Sequence, residues 1–274
     1  MLNIFKTFKP LTPGLRATKL LNKTNLLKKV KPLKSLTKGF SISCGKNHQG
    51  IKTNWNKGGG HKRLYREINS FTNKIKKDFG IVEGLEYDPN RNSTLIRIFN
   101  PDEHQHFYSL AIKDIGYKNI ITKNLATYNL GRHIYLKDVL IGQIICNVSS
   151  GYQKSGKYLR SAGTYGQIIF KNNKFARIKL RSGEHRIFPV ISKATLGCVG
   201  NENAKYILLG KAGRNRWLGK RPVVRGVAIN PVDHPHGGGE GKTSGGKPGV
   251  TPWGKPTKNQ PTLKTRNKIR VQFK

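Results

Sequence analysis

The chain has 274 residues, 35% of them hydrophobic, and carries 52 Lys and Arg against 13 Asp and Glu, a formal charge of +39. A free chain of that charge repels itself and gathers polyanions, but no stretch reaches the ~18 apolar residues of a membrane span, since the best run, Val139 to Cys146, is broken by Gly142 and Gln143. Cys44, Cys146 and Cys198 are odd in number and widely spaced with no Cys-x-x-Cys, which argues against a disulfide framework and a structural zinc site.

The first segment, residues 1–66, holds 16 Lys and Arg and no acid, and shows no sustained helical or strand period. It reads as a basic extension punctuated by Pro10, Pro13, Pro32 and Gly58-Gly59-Gly60. An acid-free basic start also suits a mitochondrial targeting peptide, whereas Lys interrupts every possible core of a secretory signal. Its last stretch sets Gly58, Gly59 and Gly60 before His61, Lys62, Arg63, Tyr65 and Arg66. Glycine lets backbone N–H groups approach phosphate, Arg forks onto it, and Tyr65 can stack on a base.

From about Gly80 the texture becomes short runs rich in Ile, Val, Phe and Tyr: Ile81–Tyr87, Thr94–Phe99, His106–Ile112, Ile144–Val148, Gln167–Phe170, Phe175–Arg181 and Arg186–Ile191. Turns fall at Asp88-Pro89-Asn90 and Lys171-Asn172-Asn173. In the clearest run Ala176, Ile178 and Leu180 alternate with Arg177, Lys179 and Arg181. That pattern predicts a half-buried strand whose wet face meets phosphate. Many short strands without a long amphipathic helix predict a mostly β protein of two small antiparallel barrels. A change of domain near residues 124–134 divides the strands into 67–128 and 129–210.

Residues 211–274 form a second extension, Gly- and Pro-rich and basic. Lys211, Arg214, Arg216, Lys220, Arg221 and Arg225 surround Trp217, which either joins a core or covers a sugar or base. Next comes Asp233-His234-Pro235-His236-Gly237-Gly238-Gly239-Glu240-Gly241-Lys242-Thr243. A P-loop needs glycine where His236 stands. His234, His236, Asp233 and Glu240 have no third His or Cys nearby to complete a metal site. Acid–base chemistry by His234 oriented by Asp233 has no evident nucleophile. The reading that remains is a glycine-built loop whose imidazoles and amides dock on RNA, with no cofactor and no metal. No acid follows Glu240, so both ends of the chain carry unopposed positive charge. Such arms call for a large polyanion they can penetrate, and RNA fits best.

The run from Val224 through His234 to Lys242 resembles the signature of the universal second large-subunit ribosomal protein family, bacterial or mitochondrial type. So do Gly58 to Arg63, Leu85 to Arg91, Arg160 to Tyr165, Leu180 to Glu184, Ala194 to Gly197 and Val250 to Gly254. The resemblance covers nearly the whole chain, with departures at Asn54 to Lys57 and across residues 100–160. It implies an oligonucleotide-binding-type barrel, then an SH3-like barrel, with arms threaded into large-subunit rRNA. It also implies contacts with other large-subunit proteins and, at the intersubunit face, with the small subunit, and a place for the His-Gly loop near the peptidyl transferase region. His234 matches the loop histidine and is carried over as an RNA-contact residue, not a catalyst; Trp253 lies in the matching Val250 to Gly254 run. The family's own start matches Lys6 to Arg16, which leaves no room for a cleavable leader. Lys242-Thr243-Ser244-Gly245-Gly246 and the excess of Lys, Asn and Ile, which share A/T-rich codons, point to a mitochondrial ribosome, with a low-GC bacterium as the alternative. Two rival classes stay open: an RNA-processing hydrolase built on Asp233, His234 and His236, and a free single-strand RNA chaperone.

Overall fold

The computed structural model describes residues 4–23, 27, 31–68, 79–122, 130–152, 154–241, 243, 246–260 and 270–271. The predicted domain change at 124–134 therefore falls largely outside the described residues. Contacts divide the chain into two units: residues 1–41, 62–212 and 269–274 form one, and residues 42–61 and 213–268 the other.

The first unit is mostly β and antiparallel. Its arm contributes a ribbon of β1 (Phe5–Thr7) and β2 (Lys19–Leu21), joined through the four-residue helix α1 (Pro13–Arg16). A second ribbon pairs β3 (Thr37–Phe40) with β4 (Arg63–Arg66). Strands this short carry too few residues for a period to show in the sequence.

A four-stranded sheet follows, built from β5 (Phe79–Glu86), β6 (Leu95–Asn100), β7 (Gln105–Leu110) and β8 (Ile120–Thr122) in the order β7-β6-β5-β8. Its two faces are both covered. Val82, Ile96, Ile98 and Phe107 form one cluster, and Leu95, Tyr108 and Leu110 form another, against which Leu33 and Leu36 of the arm pack. On the covered arm face, Leu33 N–H donates to Tyr108 Oη at 3.0 Å, Tyr108 Oη donates to Glu86 Oε2 at 2.8 Å, and Arg97 pairs with Glu86. A carboxylate 5% exposed is tolerated there because Arg97 balances its charge and Tyr108 donates to one of its oxygens.

The second sheet has seven strands. These are β9 (His133–Tyr135), β10 (Ile144–Cys146), β13 (Gly166–Lys171), β14 (Phe175–Leu180), β15 (His185–Pro189), β16 (Lys193–Leu196) and β17 (Arg270–Val271), while β11 (Val148–Ser149) and β12 (Gly156–Tyr158) pair as a separate ribbon. The order is β17-β15-β14-β13-β10-β16-β9. As the alternation predicts, Ala176 and Ile178 are fully buried and Lys179 is exposed. Leu136, Val139, Ile145 and Ile168 pack around them, each worth about 1.5–3 kcal/mol when fully removed from water. The curled antiparallel sheets fit barrels of the oligonucleotide-binding and SH3-like types.

The two sheets share a seam. Lys113 N–H donates to Cys198 O and Gly200 N–H to Ala111 O, both at 2.8 Å, and Cys146 and Val199 of the second set join the first sheet's core cluster. All three cysteines are free.

His133 sits in this unit with Nδ1 3.0 Å from Thr195 Oγ1, and burial, then the nearby Lys193 charge, hold its pKa down to about 3 from 6.5. The unfolded chain therefore takes up a proton below about pH 6.5 that the folded chain refuses. Stability is full above that value and is lost as pH falls. Between pH 7 and 5 the loss from this group is expected to be about 2 kcal/mol. Urea midpoints at the two pH values check it, and His133→Gln is expected to flatten that difference.

Candidate nucleic-acid interface

The second unit has almost no interior. Among its described residues only Gly58 is buried, while Trp55, Trp217 and Trp253, the chain's three tryptophans, are 50%, 60% and 64% exposed. It holds 15 Lys and Arg against Asp233 and Glu240 alone. Backbone hydrogen bonds shape it instead of side-chain packing.

Two motifs far apart in sequence meet there. Gly58 N–H donates to Gly219 O at 3.0 Å, His61 N–H to Trp217 O at 3.1 Å, and Arg221 N–H to Asn56 O at 2.8 Å. The triple glycine is needed for that approach. Gly60 has φ +91°, and a Cβ on it would lie 2.8 Å from Gly219 N. Helix α2 (Ala212–Trp217) ends on Gly219, at φ +84°, whose N–H donates to Arg216 O. Arg216, Trp217, Lys220, Arg221 and Arg225 are exposed and Arg214 is half-buried. Trp217 thus belongs to no core.

The His-Gly loop is a closed set of turns. Asn230 O accepts from Asp233 N–H at 3.0 Å and His234 N–H at 3.3 Å, and Gly237 N–H donates to His234 O at 2.9 Å. His236 N–H donates to His234 Nδ1 at 3.0 Å, and Val250 N–H to His236 Nε2 at 3.1 Å. Each ring nitrogen that accepts must be unprotonated, so neutral His234 presents Nε2–H and neutral His236 presents Nδ1–H. The rings are 4.7 Å apart. Among the described residues Asp233 hydrogen-bonds neither ring, so the Asp233–His234 relay of the hydrolase reading is not assembled, and no cluster of three His, Cys, Asp or Glu suits a metal. Gly239 is exposed and Gly238 half-buried; Lys242 lies outside the described residues.

Trp253 sits on a tight turn closed by Gly254 N–H to Thr251 O, and its ring is 5.5 Å from that of Trp55. Trp55 was not singled out from the sequence. The signal was available: a tryptophan between Lys52 and Lys57 with no apolar period around it.

On the first unit, Lys62, Lys179, Arg181 and Lys211 are exposed, and Arg63, Arg160 and Arg177 half-buried. Arg160 Nη1 donates to Gly156 O at 3.0 Å, and burial, then the Arg91 charge, lowers its pKa. Arg181 donates to Gly163 O. Arg66 is turned inward, 8% exposed, with Nη1 bonded to Leu64 O. Tyr65 stacks with Phe40 at 6.2 Å, and both remain about 40% exposed.

Residues 33–121 match the model of Ribosomal Proteins L2, RNA binding N-terminal domain, and residues 129–254 that of Ribosomal Proteins L2, C-terminal domain. Large ribosomal subunit protein uL2 of Rickettsia typhi is 49% identical over 262 residues, 95% of each chain, and that of Rickettsia massiliae 50% identical over the same length and share.

Proposed function

Because the chain belongs to the ribosomal protein L2 family, and is therefore a structural, RNA-binding component of the large ribosomal subunit rather than an enzyme, we propose that its coreless second unit is an rRNA-dependent clasp. Large-subunit rRNA and other ribosomal proteins are its partners. The observation that carries the proposal is a unit of 15 cations and three exposed indoles in which one of the described residues is buried. Such a unit offers phosphates and bases everything they bind and offers itself almost no burial.

In this reading Gly58 to Arg63, Lys211 to Arg225 and Trp253 hold phosphate and base, and His234 and His236 direct their ring N–H groups to RNA oxygens near the peptidyl transferase region. Arg160, Arg177, Lys179 and Arg181 serve the second barrel, and Arg66 contributes only after turning outward. The division at residues 66, 128 and 210, and the contact with the small subunit, belong to the same proposal. The codon-linked excess of Lys, Asn and Ile supports a mitochondrial ribosome, while the Rickettsia relatives support a bacterial one; organelle fractionation separates the two. Among the described residues no helix is long and apolar enough to cross a membrane.

Sedimentation at about 0.5 M monovalent salt, a level that strips weak phosphate binders, tests residence. The chain is expected with the large subunit, and RNase is expected to release it. Release by salt alone would favour the free RNA chaperone.

A further inference from the structure

Trp55 and Trp253 come from the two basic arms and meet within the second unit, ring centroids 5.5 Å apart and planes tilted by 40°. The contact buries neither ring: 50% of Trp55 and 64% of Trp253 stay exposed. Each stands on a short hydrogen-bonded turn. Thr53 N–H and Asn54 N–H both donate to Gly45 O, at 2.9 and 3.0 Å, and a Cβ on Gly45 would run into Asn54 O. On the other side Thr251 N–H donates to Lys255 O at 2.8 Å, and Lys255 N–H to Thr251 Oγ1 at 3.1 Å. Backbone therefore presents the two indoles, and each ring limits the rotation of the other.

The surroundings of the pair match one kind of ligand. Residues 52–57 and 251–258 supply Lys52, Lys57, Lys255 and Lys258, all exposed, and no acid. Apart from Pro252 and Pro256 these stretches hold no other apolar side chain. A protein segment that docks by burial needs a wider apolar patch than two rings, and a second copy would bring the same unopposed cations. An indole face among lysines suits a nucleobase, which stacks on the ring while its flanking phosphates meet the ammonium groups. Rings this close leave no slot for a base between them, so the outer faces are the ones on offer. Bases inside an RNA helix are already stacked, which leaves unpaired nucleotides as the fitting class.

We propose that Trp55 and Trp253 form a single platform that stacks an unpaired base of rRNA, with Lys52, Lys57 and Lys255 on its neighbouring phosphates. Trp55 lies in Asn54 to Lys57, where the chain departs from the family pattern, so that half of the platform is this chain's own. The platform rests on residence in the large subunit, which sedimentation of the chain reports separately.

Two measurements on purified large subunits test it. Short-wave ultraviolet irradiation of wild-type subunits, followed by digestion and mass spectrometry, is expected to yield a nucleotide adduct on Trp55 or Trp253. Acylation of rRNA 2′-hydroxyls, which reports unconstrained nucleotides, is then compared between variants. Trp55→Ala and Trp253→Ala are expected to raise it at the same unpaired nucleotide by at least about five-fold, the scale of one lost stack. Trp55→Phe, which keeps an aromatic face, is expected to stay near wild type. Should the alanine variants fail to assemble, the wild-type adduct carries the test alone, and its absence would overturn the platform. So would an adduct of either indole with a protein, unchanged acylation in assembled variants, or changes at different nucleotides in the two. Each of these results, with the chain still sedimenting in the subunit, would count against the platform and not against residence.

Discussion

Reversing Arg214, Arg216 and Arg221 to Glu together is expected to weaken rRNA binding by at least ~10³-fold at moderate salt, since each charge-assisted contact is worth roughly 1.5–3 kcal/mol. All three lie in the second unit, in or just after helix α2, where Gly219 and the Asn56–His61 strip hold the backbone. Losing three phosphate contacts also lowers the slope of log affinity against log salt by about 2–3, at ~0.7–0.9 per contact. Filter binding of a large-subunit rRNA fragment across a salt series reads both quantities. An affinity that falls with the slope unchanged would mean that these arginines shape the unit without meeting phosphate.

The second large effect is expected from Gly237→Ala. Its Cβ would lie 2.3 Å from Asn230 O and 2.4 Å from Asn230 C, both backbone atoms. Asn230 O already accepts two N–H groups that define the loop, so it cannot retreat without opening the turn. No core compensates, because the loop's other ties are hydrogen bonds, among them Gly237 N–H to His234 O, Gly238 N–H to Ile229 O, His236 N–H to His234 and Val250 N–H to His236. With the loop at its proposed place near the peptidyl transferase region, subunits carrying the variant are expected to keep the chain while losing peptidyl transfer by at least about ten-fold, as positioning errors near a reacting centre do. Gly213→Ala is the control: its Cβ meets nothing within 4 Å and lies in a helix, where Ala is favoured over Gly by about 0.8–1.0 kcal/mol. Equal activity of the two variants would remove the His-Gly loop from the peptidyl transferase region.

What was legible in the sequence divides by mechanism. Strands β5, β6, β7, β13, β14 and β15 run five to eight residues, long enough to show as apolar runs, and β14 alternates, so its faces are readable: Ala176 and Ile178 in, Lys179 out. Strands β8, β9 and β16, three or four residues long, pair at positions fixed by partners distant in sequence, such as Ala194 with Ile134. No local pattern announces that. The two RNA-suited motifs were legible separately by composition. Their meeting was not, because Gly58 finds Gly219 through backbone N–H and C=O groups that every residue carries. Trp217 was open between core and surface, and exposure settles it for the surface. Arg66 shows the opposite limit: a cation in a cationic run, turned inward by the carbonyl of Leu64.

In the proposed reading RNA supplies the interior that the described residues of the second unit lack. Limited trypsin digestion of the full chain, free and within purified large subunits, tests it most directly. In the free chain, cleavage is expected first after the Lys and Arg of residues 213–260, while the sheets of residues 79–110 and 133–196 persist. In the subunit those sites are expected to resist until RNase is added, after which cleavage returns. Equal resistance of residues 213–260 in the free chain would contradict the account, because the unit would then hold its shape without RNA.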